Sequence, residues 1–194
     1  GSFLLGGALT GLVLVKTNNP FLATLAGAGA GAICGLITGV LNRLVNIPKL
    51  LSGIITMTAA SSIAYVLFSL TTGVFWSSQI TSTHINGKVI YDILPKLQGW
   101  NIPIIMGAIV IVVALLIYFF FGTEYGMAIR ATGMNERMAR AQGINTNIAT
   151  IVGVAISNAL IGLAGALYIQ KTRAFFTTSA TGYLIVGLAS ILIG

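Results

Sequence analysis

The 194-residue sequence has very little charge: Asp, Glu, Lys and Arg make up 7% of the chain, against roughly 25% in soluble domains. Hydrophobic residues make up 56%, and the mean hydropathy is +0.98. This composition excludes a soluble globular protein and indicates an integral membrane protein. The net charge of +7 therefore indicates Lys and Arg beside membrane spans, where they meet anionic lipid, and we expect no nucleic-acid partner.

The sequence has only one cysteine and one histidine. Cys34 lies inside an apolar run, so there is no disulfide framework. His84 lies in a long polar segment, 71–101, where Asp92 is the one acidic residue. A catalytic or metal site needs partner groups that this segment lacks. We expect no catalytic residue, metal ligand or cofactor, and the segment is either a docking or gating surface or a plain surface loop.

Long uncharged runs predict transmembrane helices, since about 20 residues at ~1.5 Å each cross a ~30 Å hydrocarbon layer. Four spans are predicted, at about 20–41, 50–70, 102–121 and 148–170. The apolar pieces 3–15 and 182–194 are too short to span. Both run off the ends of the sequence uncapped, which predicts a fragment cut within a helix at each end. The fold expected for 1–194 is therefore all-α, a single polytopic transmembrane helical bundle.

Small residues recur at helical spacing in the first span. A glycine at every fourth position lies on one helix face and lets a neighbouring backbone approach closely. These glycines are Gly27, Gly31, Gly35 and Gly39. The pattern predicts tight packing within the bundle, with a sliding or subunit-contact face as the alternative.

No predicted span contains a charged residue, but the span 50–70 carries five hydroxyl groups within the ten residues 56–65. Thr58, Ser62 and Tyr65 form one stripe at i, i+4, i+7, and Asn158 lies in the middle of the last full span, where it is the stronger polar anomaly. The hydroxyls either bond their own helix or line a translocation path, and Asn158 forms an interhelical hydrogen bond or lines that path. The absence of membrane-embedded charge disfavours an ion-coupled transporter and a charged-ring channel. No phosphate-binding Gly-x-x-x-x-Gly-Lys-Ser/Thr loop is present, so any ATPase is expected on a separate chain.

The segment 122–147 is longer than a connection between two spans requires, and it carries much of the charge. Met134, Met138 and Ala141 are spaced as one apolar stripe, which predicts an amphipathic helix over 135–142. A helix held at the membrane surface offers a docking site through which a soluble partner can move the membrane protein. The predicted coupling residues are Met134, Glu136, Arg137, Met138, Arg140 and Gly143, with Glu136 and Arg140 paired and Gly143 as the C-cap.

The stretch YGMAIRATGMNERMARAQGIN, followed by an Ala/Gly-rich span, resembles the cytoplasmic coupling loop of ATP-binding-cassette importer permeases. The resemblance is closest to the branched-chain amino acid and ribose permease family. Ala139 and Gly143 match its Ala-to-Gly spacing, whereas Glu136 falls one position earlier than the acidic residue of the general importer motif. NPFLATLAGAGAGAICGLITGVLNRLVNIPKLLSGIITMTA also resembles two helices of that family. NIPKLLSGIITMTA and VGLASILIG resemble a subgroup linked with tryptophan or tyrosine uptake.

The resemblance implies a permease of importer type in the plasma (inner) membrane of a prokaryote, with 122–147 in the cytoplasm and 71–101 outside. The implied partners are ATP-binding-cassette ATPase subunits, an extracellular or periplasmic substrate-binding protein, a second permease copy and the lipid bilayer. The expected solute is small and polar, an aromatic amino acid being favoured over a sugar or nucleoside. A non-transporting scaffold or assembly subunit and a secondary transporter are the alternatives from other classes.

Overall fold

A computed structural model describes residues 1–45, 47–72, 83–84, 101–172 and 174–175, together with 186, 189, 190 and 193. Seven helices and one two-residue strand pair are found in this part of the chain. The helices are α1 (Ser2–Thr17), α2 (Pro20–Arg43), α3 (Lys49–Thr72), α4 (Asn101–Phe121), α5 (Glu124–Met134), α6 (Glu136–Ala141) and α7 (Thr146–Thr172). The strands β1 (Thr83–His84) and β2 (Ala174–Phe175) pair antiparallel. The all-α prediction is confirmed.

Four of these helices are long and apolar enough to cross a membrane: α2, α3, α4 and α7. Each contains a predicted span and extends beyond it by one or two residues at one or both ends. Asn19 caps α2 by accepting a hydrogen bond from the Phe21 N–H at 3.3 Å, and Pro20 occupies the first turn. Most of the predicted helix 182–194 and most of the segment 71–101 lie outside the described residues.

The helix α1 lies at the centre of the described bundle, although it is too short to have been predicted as a span. It packs against α2, α3 and α7. Leu14 is 1% exposed and Thr10 is fully buried. The Thr10 hydroxyl donates its proton to the Gly6 carbonyl at 2.7 Å, with the Ala23 carbonyl of α2 as a second acceptor at 3.1 Å, so its polar group is satisfied in the buried interior. Length predicts whether a helix can span, but not how central its packing is.

The four-residue glycine repeat of α2 faces α1 and α7. A Cβ built on Gly35 would lie 2.7 Å from the Ala155 Cα, and one on Gly39 would lie 2.9 Å from the Ile151 Cα. Gly27 lies against α1, and Gly31 lies against the α7 backbone at Gly162. At Gly31, Gly35 and Gly39 the nearest atoms belong to the α7 backbone, so no side-chain rotation could make room. The repeat therefore serves packing inside this chain, with α7 as the principal partner of α2.

The outer surface of α4 is apolar and exposed, and that of α3 is mostly so, which is the reverse of a soluble protein. In α4, Val110, Leu116 and Phe119 are each more than half exposed. Such a surface is stable in hydrocarbon, where outward apolar side chains meet lipid tails. The helices α5 and α6 leave this apolar zone at the end of α4. They lie at the same end of the bundle as Arg43, the last residue of α2.

Candidate coupling site

The chain turns sharply from α4 into α5, and glycine makes the turn possible. A Cβ built on Gly126 would lie 2.5 Å from the Phe121 Cα, so no larger residue fits. The Thr123 hydroxyl accepts a hydrogen bond from the Gly126 N–H at 3.3 Å and caps α5. The Arg130 guanidinium lies 4.9 Å from the centroid of the Phe121 ring, which braces α5 against the end of α4.

A single residue, Asn135, separates α5 from α6. Its backbone is extended, with φ −153°, and its side chain accepts hydrogen bonds from the Arg137 and Met138 N–H groups, each at 3.1 Å. Asn135 thus ends one helix and caps the next. The two short helices, Glu124–Ala141, form a bent unit that we call the elbow. The predicted helix over 135–142 corresponds to α6, Glu136–Ala141.

The prediction of one continuous apolar stripe through Met134, Met138 and Ala141 is wrong. Met134 is the last residue of α5, whereas Met138 and Ala141 belong to α6, because Asn135 interrupts the helix between them. Helical spacing counted across a capping asparagine does not describe one face. The two methionines are nevertheless outward groups of the elbow, as are Tyr125 and Met127 of α5: Met134 is 90% exposed and Met138 is 62% exposed.

The inner side of α6 is held by an ion pair that the sequence did not predict. Glu136 accepts two hydrogen bonds from Arg43 of α2, from Nη1 to Oε1 at 2.7 Å and from Nη2 to Oε2 at 3.2 Å. Arg43 Nη2 also donates to the Thr150 hydroxyl of α7 at 2.8 Å. The signal in the sequence was the position of Arg43 at the end of a span, on the side of the membrane that also carries Glu136.

Arg140 and Thr146 complete this network. Arg140 Nη2 donates to Glu136 Oε1 at 3.1 Å, as the spacing predicted, and to the Thr146 hydroxyl at 3.2 Å. The hydrogen bonds from Arg43, together with the positive charges of Arg43 and Arg140, hold the pKa of the Glu136 carboxyl below its usual range. Glu136 is therefore ionised at neutral pH and paired with cations of its own chain.

The remaining predicted coupling residues occupy different positions on α6. Arg137 is exposed, and in the described part of the chain its side chain makes no hydrogen bond or ion pair. Gly143 has φ +82°, a conformation that favours glycine. The Ile144 N–H donates a hydrogen bond to the Ala139 carbonyl at 3.1 Å, which closes the end of α6. Ala139 is 2% exposed against the bundle. The elbow thus presents Met134, Arg137 and Met138 outward and is anchored inward through Glu136 and Ala139.

The predicted pathway residues lie on the outer face of α3. The Thr58 hydroxyl donates to the Ile55 carbonyl at 2.9 Å, and the Ser62 hydroxyl donates to the Thr58 carbonyl at 3.0 Å. Tyr65 is 51% exposed. Thr56 faces the other way and accepts a hydrogen bond from the Thr38 hydroxyl of α2 at 2.8 Å. The stripe is turned away from the rest of this chain, and its Thr58 and Ser62 hydroxyl protons are bonded within α3.

Asn158 forms the predicted interhelical hydrogen bond. Its side-chain oxygen accepts from the Ser2 hydroxyl of α1 at 2.5 Å, and its amide donates to the Val154 carbonyl at 2.9 Å. It lies in the half-buried seam where α7 meets Gly31 and Gly35 of α2. The structure therefore places Asn158 among packed helices, whereas the Thr58–Tyr65 stripe is exposed.

Comparison with known proteins places the sequence of this chain in a family. A tyrosine transport system permease protein of Clostridioides difficile is 30% identical over 195 residues, which cover all of this chain and 61% of the relative. A nucleoside ABC transporter permease protein, NupC of Lactococcus lactis, is 29% identical over 198 residues, which cover 96% of this chain and 60% of the relative. The ribose import permease protein RbsC of Escherichia coli is 25% identical over 202 residues, which cover all of this chain and 59% of the relative.

The chain thus spans about three fifths of the length of the curated relatives it matches. No solved structure matches it. The family model described as the permease component of branched-chain amino acid transport systems matches residues 1–194. With its four candidate membrane-spanning helices and its matched length, the chain is a multi-pass inner-membrane protein and belongs to the branched-chain amino acid transport system permease family.

Proposed function

We propose that this chain belongs to the transmembrane permease subunit of an ATP-binding-cassette importer. The observation that carries the proposal is the elbow. Two separately capped helices project from the end of an apolar bundle, with Met134, Arg137 and Met138 facing outward. Flexible methionines suit a surface that must repack against a partner as that partner moves. The partner is an ATPase on a separate chain, and this permease is not itself a catalyst.

The route for the solute lies between two permease copies in this proposal. The exposed Thr58, Ser62 and Tyr65 stripe supports it, because these polar groups interrupt an otherwise apolar outer face of α3. A weakly polar passage suffices when a separate binding protein on the external side captures the solute, since tight binding in the passage would slow release. The membrane spans carry no charged residue to bind an ion, so ATP hydrolysis outside the membrane drives transport.

The solute in this proposal is a small polar molecule, with an aromatic amino acid as the first candidate. Its support is the relative named as a tyrosine permease, together with the subgroup resemblance of NIPKLLSGIITMTA. Relatives named for nucleoside and ribose make those two solutes the competing candidates.

Purification of the full-length permease in mild detergent, with an affinity tag, tests the class of protein. We expect an ATP-binding-cassette ATPase to co-purify in stoichiometric amount, and a membrane preparation to take up labelled solute only when ATP is inside the cell or vesicle. Uptake of labelled tyrosine, challenged with excess tryptophan, ribose or nucleoside, then ranks the solutes. A permease that purifies without any ATPase and adds no uptake is a scaffold or assembly subunit, and the proposal is wrong.

A further inference from the structure

The Arg43 side chain joins three helices at the end of the bundle. It is the last residue of α2, its guanidinium binds both carboxylate oxygens of Glu136 on α6, and it also reaches the Thr150 hydroxyl on α7. The side chain is 15% exposed, whereas Glu136 is 37% exposed. The described ranges 1–45, 47–72 and 101–172 contain two acidic side chains, Glu124 and Glu136, and of these Glu136 is the one that pairs with Arg43.

This geometry differs from that of an ordinary surface ion pair, which contributes little because two flexible side chains must be ordered in high-dielectric water. A bidentate arginine–carboxylate pair fixes distance and orientation together. The mostly buried guanidinium also makes the loss of its partner costly, because an unpaired charge would remain. The pair therefore holds the elbow in one orientation relative to α2.

How α2 responds to a displacement of α6 depends on its packing against α7. The two helices are in backbone contact at Gly31, Gly35 and Gly39, where a Cβ would collide with α7 backbone atoms. We expect such an interface to move as one body, because close-packed interiors have low compressibility and transmit strain. A displacement of α6 that keeps the Arg43–Glu136 pair intact must therefore carry α2 and α7 together.

We propose that Arg43 is a positioning residue for coupling: through Glu136 it clamps the elbow to the α2–α7 pair, so that a partner's movement of the elbow becomes movement of the packed helices. Glu136 in this account is an internal anchor, and the outward Met134, Arg137 and Met138 meet the ATPase. The inference rests on the proposed function and adds the link between the elbow and the bundle.

The test uses the complete importer, with ATPase and binding protein, in proteoliposomes. Arg43→Ala should assemble with the ATPase and hydrolyse ATP at the basal rate, yet lose stimulation by loaded binding protein and lower uptake roughly tenfold, within the usual range of coupling between sites. Lys16→Ala is the matched control, since it removes an exposed cation at the other end of the bundle. It should keep both activities.

Charge exchange separates positioning from a general loss of structure. Arg43→Glu and Glu136→Arg should each impair uptake, and the double exchange should recover more uptake than either single variant. Arg43→Lys should retain an intermediate rate, because lysine keeps the charge and loses the bidentate geometry. These variants also test the positioning role of Arg43 if the Arg43→Ala permease does not accumulate in the membrane.

The distance between α2 and α6 tests directly whether the Arg43–Glu136 pair holds the two helices together. Spin labels at Val40→Cys on α2 and Ala141→Cys on α6, both exposed positions, should stay at one separation with and without ATP in a Cys34→Ala background. In Arg43→Ala that separation should change when ATP binds. Uptake in Arg43→Ala equal to that in Lys16→Ala, or a wild-type separation that shifts with ATP, overturns the inference. If the wild-type permease binds no ATPase and supports no uptake, the proposed function is refuted, and this inference, which rests on it, is refuted as well.

Discussion

Replacing Gly31 by leucine should destabilise the bundle, because this glycine lies where the α2 and α7 backbones touch. A Cβ at this position would lie 2.9 Å from the Gly162 Cα and 3.1 Å from the Asn158 carbonyl carbon, and closer still to the Asn158 oxygen. None of these atoms can rotate away. Even the alanine variant would push the helices apart, and leucine would add three further carbons to the same contact.

The expected loss of stability in Gly31→Leu follows from the cost of overpacking, which is about 1–3 kcal/mol in cores whose side chains can adjust. Backbone atoms cannot adjust, so we expect the upper end, about 3 kcal/mol. At about 2–4 °C per kcal/mol for a domain of this size, the melting temperature should fall by roughly 6–12 °C.

Gly29→Leu provides the matched control. Gly29 is on the same helix, two residues away, is exposed, and would have nothing within 4 Å of its Cβ. Both substitutions remove a helix glycine and gain the same intrinsic helix propensity, so their difference isolates the packing cost. Thermal unfolding in detergent, followed by size-exclusion chromatography of heated samples, measures this difference. Equal melting of the two variants would refute the backbone contact between α2 and α7.

Three further predictions concern the elbow and the route. Met138→Asp should abolish substrate-stimulated ATP hydrolysis, while Met138→Leu preserves it. If the Met138→Asp variant keeps the wild-type stimulation ratio in vesicles, Met138 has no coupling role. Because the folded pKa of Glu136 is depressed, its pairing contributes stability above the ordinary carboxyl pKa and loses it as pH falls through the lower folded value. The separation of spin labels on α2 and α6 should therefore stay constant as pH falls from neutrality to the ordinary carboxyl pKa and widen only at pH values below it, whereas Glu136→Gln should show no such transition. Ser62→Cys, in a background lacking the native cysteine, should react with water-soluble thiol reagents at a rate that depends on ATP, while Thr56→Cys stays slow; the reverse order would place the passage on the other face of α3.

The spans and the glycine packing could be predicted because each depends on a local pattern. About 20 uncharged residues specify a membrane helix whatever surrounds them, and α2 and α7 begin and end within two residues of the predicted spans. Glycine at every fourth position marks a close-packed face, although it does not name the partner helix. The partner α7 became known only from the three-dimensional arrangement.

The candidate site was harder to predict, because its geometry depends on single residues. Asn135 could be counted as part of a helix, yet its extended backbone and double capping role divide Met134 from Met138. The Arg43–Glu136 pair joins residues 93 positions apart, and helical spacing cannot predict such a contact. The central position of α1 was missed for a similar reason, since burial reflects the neighbours of a helix and not its length.

The central claim is that the outward face of the elbow contacts an ATPase, and site-specific crosslinking tests it most directly. A photoreactive amino acid at Met138, in the full-length permease in native membranes, should crosslink to an ATP-binding-cassette ATPase, and the yield should change when ATP is bound. The same probe at Phe119, an exposed residue on the lipid-facing surface of α4, should crosslink to no ATPase. Equal ATPase crosslinking at both positions, or none at Met138, would contradict the account.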